Sequence, residues 1–492
     1  IHRSFKFCIL VAQKGGQTEG IQAAFMRHDL EDWGRADGAE YVLEYPAERV
    51  KAFSPRSLTI LEIRSERDLE VLQKIYDKGV LLGDDGPDGW GIKYATEFHM
   101  TNDSKLFPPR DKWEAKGYEP DEYGRWIGPG GDVALPLYEG RMIGQFDFSE
   151  KGWVSGRGRS AVWRDIPWNA KVIEPQYLMA ETDWRAALAA GQSVIGGTKL
   201  AFMAIGSATN QRSMFSALVR DVPCGNSVAV LRTEAGEKGS LSMAAAMNSF
   251  TYDFALRLRL GGLNLNYFVI EETPLLAKSS TETRMPVVVG RLAFAHHWFS
   301  PNWLAIRDAS RNRRPYEQWA VTDHQRLRLR AMLDAIVAAL YGLDRADFAW
   351  ILRDCDHPVN TLSNRDFTRT LDPKGFWRVD KDKPPELRHT VLSLVAFDAL
   401  QERIDAAGGN RDAGIRAFAA QNDGDGWLLP ESLCLADHGL GHDERARQPQ
   451  PVASVLGPRF LEWQLEQTPE QSWAECERHA RALGRTTPTD GT

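Results

Sequence analysis

The amino-acid sequence predicts an α+β protein of several domains. Between residues 80 and 200, short apolar runs alternate with turns rich in Gly and Pro, a pattern typical of a β-rich domain. After residue 320, apolar residues repeat at helical spacing over long stretches. A chain of 492 residues is long enough for two to four such domains.

The first 50 residues predict three strands separated by short polar turns. Their apolar runs are FKFCILVA (5–12), AAFM (23–26) and AEYVLEY (39–45). Because the chain begins with Ile1 and enters an apolar run at once, we expect a buried strand there, and we expect the chain to be a fragment that lacks its front portion. The three strands would then be the end of a mixed sheet whose earlier strands are absent.

Capping residues locate the first predicted helix, which connects this region to the next. Ser65 is its predicted N-cap, Gly79 ends it, and Leu69, Leu72 and Ile75 lie on one face. The β-rich region that follows contains many tryptophans, including Trp90, Trp126, Trp153, Trp163 and Trp168. Their spacing among Gly and Pro predicts a compact domain of short strands.

The second half predicts three longer helices. Residues 240–260 form the first, residues 322–341 the second, with Thr322 or Asp323 as its cap, and residues 385–404 the third. The sequence AAGGN (406–410) predicts a linker. Two groups of arginines fall on these helices, and we expect the first to be cations at a helix C-terminus and the second to form a solvated helix face. They are Arg257 and Arg259, and Arg326, Arg328 and Arg330.

The composition is that of a globular protein without a membrane span. No run of 18 apolar residues occurs, so no membrane partner is expected. The five cysteines are widely spaced and form no CxxC pair, which favours a reducing, cytoplasmic location. The formal net charge of −7 does not favour DNA binding by itself. However, residues 136–233 carry a mild basic excess, and much of the acidity lies after residue 405.

Two polar and aromatic segments are the candidate DNA-contacting elements. The first, PLYEGRMIGQFDF (136–148), contains Tyr138, Arg141 and Gln145, and the second, ATNQRSMFSAL (208–218), contains Thr209, Asn210 and Arg212. Arg, Asn and Gln side chains can contact phosphates and read base edges. A surface ion pair beside a core aromatic would also explain the first segment, and a capped turn would explain the second.

A glycine loop between two tryptophans adds two further candidates. The segment SGRGRS (155–160) places Arg157 and Arg159 on a flexible glycine loop that could enter a DNA groove. An exposed hairpin tip without a ligand explains the same residues equally well.

No metal site is predicted. The tail contains Cys434, His438, His442, Cys476 and His479, but their spacing matches no standard zinc finger, so core cysteines and surface histidines are expected. Pro87, Asp88, Glu114 and Lys116 imitate the motif of a metal-dependent nuclease. That motif is short and common by chance, so it is not taken as a nuclease site.

Seven segments in order resemble the C-terminal part of large adenine-specific DNA methyltransferases. These are the type IIG restriction-modification enzymes and their relatives in phage-defence systems of the BREX and DISARM kind. The segments comprise residues 2–11, 97–107, 136–148, 208–218, 248–276, 326–352 and 439–465. The sequence departs from the family at Gly144, where a larger polar residue is expected.

The resemblance implies S-adenosylmethionine-dependent methylation of adenine N6 in double-stranded DNA. The family's Asn-Pro-Pro-aromatic motif and Gly-containing cofactor loop are absent, since SPNW (300–303) and GRG (156–158) do not match them. No catalytic or cofactor-binding residue is therefore assigned, S-adenosylmethionine would bind to the missing N-terminal part, and this chain alone is expected to be inactive.

The resemblance also implies a domain order. A remnant of a Rossmann-like methyltransferase sheet (1–55) precedes a connecting helix (56–80), a β-rich target recognition domain (81–280), a helical support region (281–405) and an acidic tail (406–492). Three alternatives stay open, namely a stand-alone DNA-binding specificity subunit, part of a bifunctional restriction endonuclease-methylase, and a scaffold that contacts other restriction or phage-defence proteins through its tail.

Overall fold

The protein combines helices with small antiparallel sheets, in agreement with the predicted α+β class. The computed structural model describes residues 8–27, 42–191, 197–278, 283–307, 313–429 and 467–484. By its internal contacts the chain divides into two units, Ile1–Leu69 and Glu70–Thr492. The finer domain boundaries predicted above stay predictions.

The first unit contains one two-stranded antiparallel sheet and a short helix. Strand β1 (Gly20–Ala23) pairs with β2 (Leu43–Pro46), and helix α1 (Ala47–Phe53) follows directly. The buried strand predicted near the start is wrong for residues 8–11, which form no strand and expose Ile9, Leu10 and Val11 by 81–91%. The earlier residues of that predicted strand lie outside the described ranges. Of the predicted strand 39–45, residues 39–41 also lie outside them, and residues 43–45 belong to β2.

Helix α2 (Glu66–Lys78) contains the boundary between the two units and confirms the predicted caps. The Ser65 hydroxyl accepts a hydrogen bond from the Asp68 N–H at 3.1 Å. Gly79 ends the helix where another chain segment passes close by, since a Cβ on it would lie 2.6 Å from the Pro274 Cβ. Only glycine fits this approach without a shift of the neighbouring chain.

The described strands of the second unit form four antiparallel sheets. Two sheets have four strands, in the orders β10-β7-β6-β5 and β12-β11-β13-β4, and the pairs β14-β3 and β8-β9 form the other two. The strands are β3 (Val80–Leu81), β4 (Ile92–Ala95), β5 (Glu119–Pro120), β6 (Trp126–Ile127), β7 (Val133–Pro136), β8 (Lys151–Ser155), β9 (Val162–Asp165), β10 (Leu178–Ala180), β11 (Lys199–Met203), β12 (Ser216–Val219), β13 (Val228–Thr233) and β14 (Pro274–Leu275).

Most of the helices of this unit follow the sheets in the chain. They are α3 (Arg110–Glu114), α4 (Glu181–Ala189), α5 (Gly236–Met247), α6 (Phe250–Arg259), α7 (Tyr267–Ile270), α8 (Met285–Ala293), α9 (Ser300–Ala305), α10 (Asp323–Leu340), α11 (Arg345–Ile351), α12 (Val359–Ser363), α13 (Arg365–Thr370), α14 (His389–Ala406), α15 (Arg411–Gly424) and α16 (Pro469–Gly484).

Helix α5 connects the sheet to the helical region. Its small and apolar residues are buried, and they pack against β11, β12 and β13 as well as against α8 and α10. Helix α10 in turn packs against α14. The predicted linker 406–410 is a tight turn that lets α14 and α15 pack against each other.

Residues 240–260, predicted as a single helix, are two. Helix α5 ends at Met247, and the Ser249 hydroxyl begins α6 by accepting a hydrogen bond from the Tyr252 N–H at 3.1 Å. A serine side chain that caps a new helix competes with continuation of the old one. Because the helix breaks here, the main-chain carbonyl of Asn248 can accept hydrogen bonds from other residues.

The arginines predicted to form a solvated face of α10 are instead enclosed. Arg326 and Arg328 are only 5% and 2% exposed, and Arg330 is half-buried. Arg326 donates to the carbonyls of Leu292 and Ala320. The prediction failed because a guanidinium that meets several carbonyl acceptors can be buried, which a helical repeat alone does not reveal.

Among the described residues, no helix is long and apolar enough to cross a membrane.

The cap of α10 yields a stability prediction. The Thr322 hydroxyl accepts a hydrogen bond from the Gln325 N–H at 3.2 Å, so Thr322→Ala should lower the free energy of unfolding by about 1 kcal/mol. Thr322→Ser keeps the acceptor and should stay within about 0.5 kcal/mol of the native protein. Urea denaturation of the three proteins measures both values, and equal losses for Ala and Ser would contradict the assigned cap.

Candidate nucleic-acid interface

The two polar and aromatic segments meet at one backbone carbonyl. The Gln145 side-chain amide donates a hydrogen bond to the carbonyl oxygen of Asn248 at 2.8 Å, and the Arg212 guanidinium donates to the same oxygen. This carbonyl is available because the chain breaks between α5 and α6. Residues 67 positions apart in the sequence are thereby fixed beside each other.

The Asn248 side chain strengthens the same junction. Its amide group donates to the carbonyl of Ser216 at 2.9 Å, and its oxygen accepts from the Ser216 N–H at 3.0 Å. The Ser216 carbonyl also accepts from the N–H of Phe146 at 2.9 Å. One buried asparagine therefore ties both segments to the end of α5.

A buried carboxylate lies between two buried arginines next to this junction. Asp253 is 3.1 Å from the Arg212 Nε and 3.2 Å from the Arg257 Nε, and all three side chains are at most 5% exposed. The Arg212 guanidinium also stacks 4.2 Å from the centroid of the Phe250 ring. Two positive charges share one carboxylate, so the cluster depends on further acceptors.

Main-chain carbonyls supply those acceptors. Arg257 donates to the carbonyls of Asn210 and Gln211, each at 2.8 Å, and to those of Lys374 and Gly375. This places a buried, charged donor directly beneath the turn that contains Asn210 and Gln211. The backbone of that turn is held from inside, which leaves its side chains for solvent.

The turn belongs to a polar loop, residues 206–213, which closes on itself. A Cβ on Gly206 would lie 2.4 Å from the Ser213 carbonyl oxygen, so glycine is needed for this close approach. The Ser213 hydroxyl donates to the Ser207 carbonyl at 2.9 Å. Between the two ends, Thr209, Asn210 and Gln211 are exposed.

The first segment has one exposed cation among buried neighbours. Tyr138 is fully buried and stacks on Trp298, whereas Arg141 is exposed, with its guanidinium carbon 6.0 Å from the centroid of the Trp163 ring. At Gly144 a Cβ would lie 2.3 Å from a Glu150 carboxylate oxygen, so the Glu150 side chain would have to shift to admit a larger residue.

The end of this segment is held in an unusual backbone conformation. Phe146 has φ of +56°, which costs energy for a bulky residue. Asp147 then forms a buried ion pair with Lys171 at 2.7 Å, and Lys171 also donates to the Ser149 and Ile166 carbonyls. Burial lowers the pKa of Lys171 to about 8. These contacts fix the segment as a rigid support.

The glycine loop forms the tip of the β8-β9 hairpin, as predicted. Arg157 and Arg159 are both exposed there. Arg157 lies 3.4 Å from Asp111, but both side chains are about 60% exposed, so this ion pair is weak and screened by salt. The tip itself is secured by the Trp153 and Gln176 side chains, which donate to the Gly156 carbonyl.

The structure therefore divides the predicted contact residues into two groups. Five are exposed at loops with anchored backbones, namely Arg141, Arg157, Arg159, Thr209 and Asn210. Tyr138 and Arg212 are buried and Gln145 is half-buried, so in this conformation they support the loops from within. Their contact with DNA stays a prediction.

Sequence reasoning missed the residues that organise this region. They are Asn248, Asp253 and Arg257, which form the anchor. The Asn-Ser pair at 248–249 was an available signal, because both residues favour helix ends over helix interiors. The partners of Arg257 could not be found this way, since they come from segments far apart in the chain.

No cluster of three or more potential metal ligands occurs among the described residues. Cys434, His438 and His442 lie outside these residues. Cys476 is buried, as expected, whereas the prediction of a surface histidine is wrong for His479, which is 2% exposed and lies 3.0 Å from the Tyr123 hydroxyl.

Comparison with known proteins gives no assignment, because the sequence matches no protein-family model and no curated protein. A function for this chain therefore has to be argued from its own residues and their geometry.

The shared carboxylate gives a sharp stability prediction. Asp253→Asn leaves two buried guanidinium groups without their anion, and it should lower the free energy of unfolding by about 3–5 kcal/mol. The control Asp366→Asn removes a carboxylate from an exposed pair with Arg369 and should have no measurable effect. Urea denaturation measures both, and similar small changes would show that Asp253 does not hold the cluster together.

Glu139, in the first segment, gives a pH prediction. Burial raises its pKa from 4.5 to about 7, and its Oε2 has no hydrogen-bond partner among the described residues. Below pH 4.5 the carboxyl is neutral in both states. As pH rises from there through 7, the unfolded carboxyl ionises first, so this group's contribution to stability is lost.

Glu139→Gln cannot ionise and should escape that loss. The stability of the variant relative to the native protein should increase between pH 4.5 and 7 and level off above 7. Urea denaturation across this range measures the difference, with Glu114→Gln at an exposed site as the control. A difference that is independent of pH would show that Glu139 ionises normally in the folded state.

Proposed function

We propose that this chain is the DNA target-recognition portion of an S-adenosylmethionine-dependent, site-specific adenine-N6 methyltransferase. The enzyme would act on double-stranded DNA in the cytoplasm, within a restriction-modification or phage-defence system. The observation that carries the proposal is the convergence of residues 136–148 and 208–218 on Asn248. These segments are among those that resemble the methyltransferase family, and each carries exposed polar or cationic side chains.

The chemistry of the exposed side chains suits two different tasks. Arg141, Arg157 and Arg159 are cations that can neutralise phosphates and set the register of the duplex. Thr209 and Asn210 are neutral, and an asparagine can form a pair of hydrogen bonds with adenine in the major groove. A DNA-modifying enzyme needs both, because it must hold the duplex while one base leaves the stack.

The anchoring of the loops supports the same proposal. The carbonyls of Asn210 and Gln211 are fixed by Arg257, so the loop loses little backbone freedom when it binds. The buried Arg212 belongs to this support. A preorganised loop of this kind can discriminate between similar ligands because its polar groups do not rearrange to suit each one.

The described residues do not fit the methyl donor. Asn302, in the sequence SPNW, lies in α9 and accepts a hydrogen bond from Arg220 while donating to Glu237, and residues 156–158 form a hairpin tip instead of a turn between strand and helix. We therefore assign no step of methyl transfer to this chain. When bound elsewhere in the enzyme, S-adenosylmethionine would supply the methyl group.

The misfit with the methyl donor also favours a second candidate, a stand-alone DNA-binding specificity subunit that recruits a separate enzyme. It would use the same surface. A continuous upstream reading frame with the cofactor loop and catalytic motif, whose product methylates adenine, supports the first candidate. A start codon immediately before Ile1 supports the second.

Duplex DNA binding tests the shared part of both candidates. The full chain should bind duplex DNA with an affinity that falls steeply with salt, because each neutralised phosphate releases counterions. Arg157→Gln and Arg159→Gln together should weaken binding at low salt and reduce the slope of log affinity against log salt by about 2, one unit for each lost phosphate contact. Fluorescence anisotropy at several salt concentrations measures both quantities.

Arg369→Gln is the matched control for these charge changes. Arg369 is an exposed arginine on α13, paired only with the neighbouring Asp366 among the described residues, so its loss should leave the slope unchanged. An equal effect of Arg369→Gln would show that the weaker binding reflects the lower net charge and not the loss of contacts from Arg157 and Arg159. Failure of the native chain to bind DNA in a salt-dependent manner would refute both candidates.

A further inference from the structure

A cleft of about 300 Å³ lies at one end of the sheet that contains β11 and β13. It is formed where residues 197–198 lead into β11, where β13 ends, and where α5 and α9 begin. Side chains that line it include Thr198, Arg220, Arg232, Glu237, Ser240 and Asn302. The cleft has no part in the contacts of the proposed DNA surface.

Two arginines of the cleft lack an anionic partner. Arg220 donates to the Asn302 side-chain oxygen at 2.9 Å, and the Arg232 guanidinium forms no hydrogen bond with the residues that the structure describes. Within that same part of the chain, neither guanidinium lies within 4.0 Å of a carboxylate. Other enclosed arginines of this protein, such as Arg259 and Arg328, form ion pairs.

The N-terminus of α5 adds further donors at the same place. The helix has 12 residues, and Ala235 at its N-cap offers no side-chain acceptor for the first N–H groups. Gly236 and Glu237, its first two residues, line the cleft. Unsatisfied N–H groups and the positive end of the helix dipole both favour an anion here.

Glu237 is the one carboxyl group among the lining residues. Burial raises its pKa, whereas the hydrogen bond that it accepts from the Asn302 amide at 2.9 Å favours the ionised form. Glu237 therefore contributes at most one negative charge to the cleft. Two guanidinium groups and a helix N-terminus therefore outweigh one hydrogen-bonded carboxyl, and the cleft favours anions even when Glu237 is ionised.

We propose that this cleft binds the phosphate group of a small phosphorylated ligand. Guanidinium groups form paired hydrogen bonds with phosphate oxygens, and a helix N-terminus commonly completes such sites. The volume is at the lower end for ligand pockets, enough for a phosphate with a small organic group. The cleft and the polar loop lie at opposite ends of β11, roughly 13 Å apart along the strand, so the site does not depend on the DNA-binding proposal.

Isothermal titration of the full chain with inorganic phosphate, in chloride buffer at low ionic strength, tests the site. Saturable binding of one phosphate per chain is expected, and Arg232→Gln should weaken it at least tenfold. Glu237→Gln keeps an acceptor for Asn302 but removes the negative charge, so it should tighten phosphate binding several-fold. A gain of affinity distinguishes a ligand site from a general loss of structure.

The controls separate the sources of phosphate. Arg369→Gln, an exposed arginine far from the cleft in the sequence, should leave phosphate binding unchanged. Arg232→Gln should also leave DNA affinity and its salt slope unchanged if the ligand is a small molecule. If Arg232→Gln lowers DNA affinity, the phosphate group that the cleft binds belongs to the DNA backbone, and the small-ligand proposal is overturned. Absence of saturable binding to the native chain, or an equal loss in Arg369→Gln, would overturn the site itself.

Discussion

The cost of burying guanidinium groups is the constraint on which the middle of this protein depends. A buried charge is tolerated only when hydrogen-bonding and ionic partners replace its water. Asp253 lies between Arg212 and Arg257, Arg212 also donates to the carbonyl of Asn248, and Arg257 donates to the carbonyls of Asn210 and Gln211. The contacts of these two side chains therefore fix the end of one helix, the start of the next and the polar loop in a single arrangement.

That arrangement explains why some polar side chains of the loop face solvent while others do not. Within residues 209–212, Thr209, Asn210 and Gln211 are exposed, and Arg212 is buried. The backbone carbonyls turn towards Arg257, so the side chains of the same residues project the other way. The same hydrogen bonds fix the loop backbone and leave its side chains exposed to solvent. Both properties suit a surface that recognises a rigid ligand such as a DNA duplex.

Arginine has three roles in this protein, which differ in their partners. Arg212, Arg257 and Arg326 are buried with acceptors and hold the fold together. Arg141, Arg157 and Arg159 are exposed beside aromatic or glycine residues and suit phosphate contacts. Arg220 and Arg232 lie in the cleft at the far end of β11 without carboxylate partners. Net charge does not distinguish these roles, since each arginine counts equally in the total.

The sequence by itself determined the features that local interactions control. The caps at Ser65 and Thr322, the end at Gly79 and the exposed hairpin tip at residues 155–160 were predicted, because each depends on residues within a few positions. Only the tertiary structure decided which polar residues are buried. The enclosure of Arg212 and Arg326, the junction at Asn248 and the cleft around Arg232 all require partners from distant segments. A polar group can be buried only where folding brings hydrogen-bond acceptors to it, and the local sequence pattern does not reveal acceptors from distant segments.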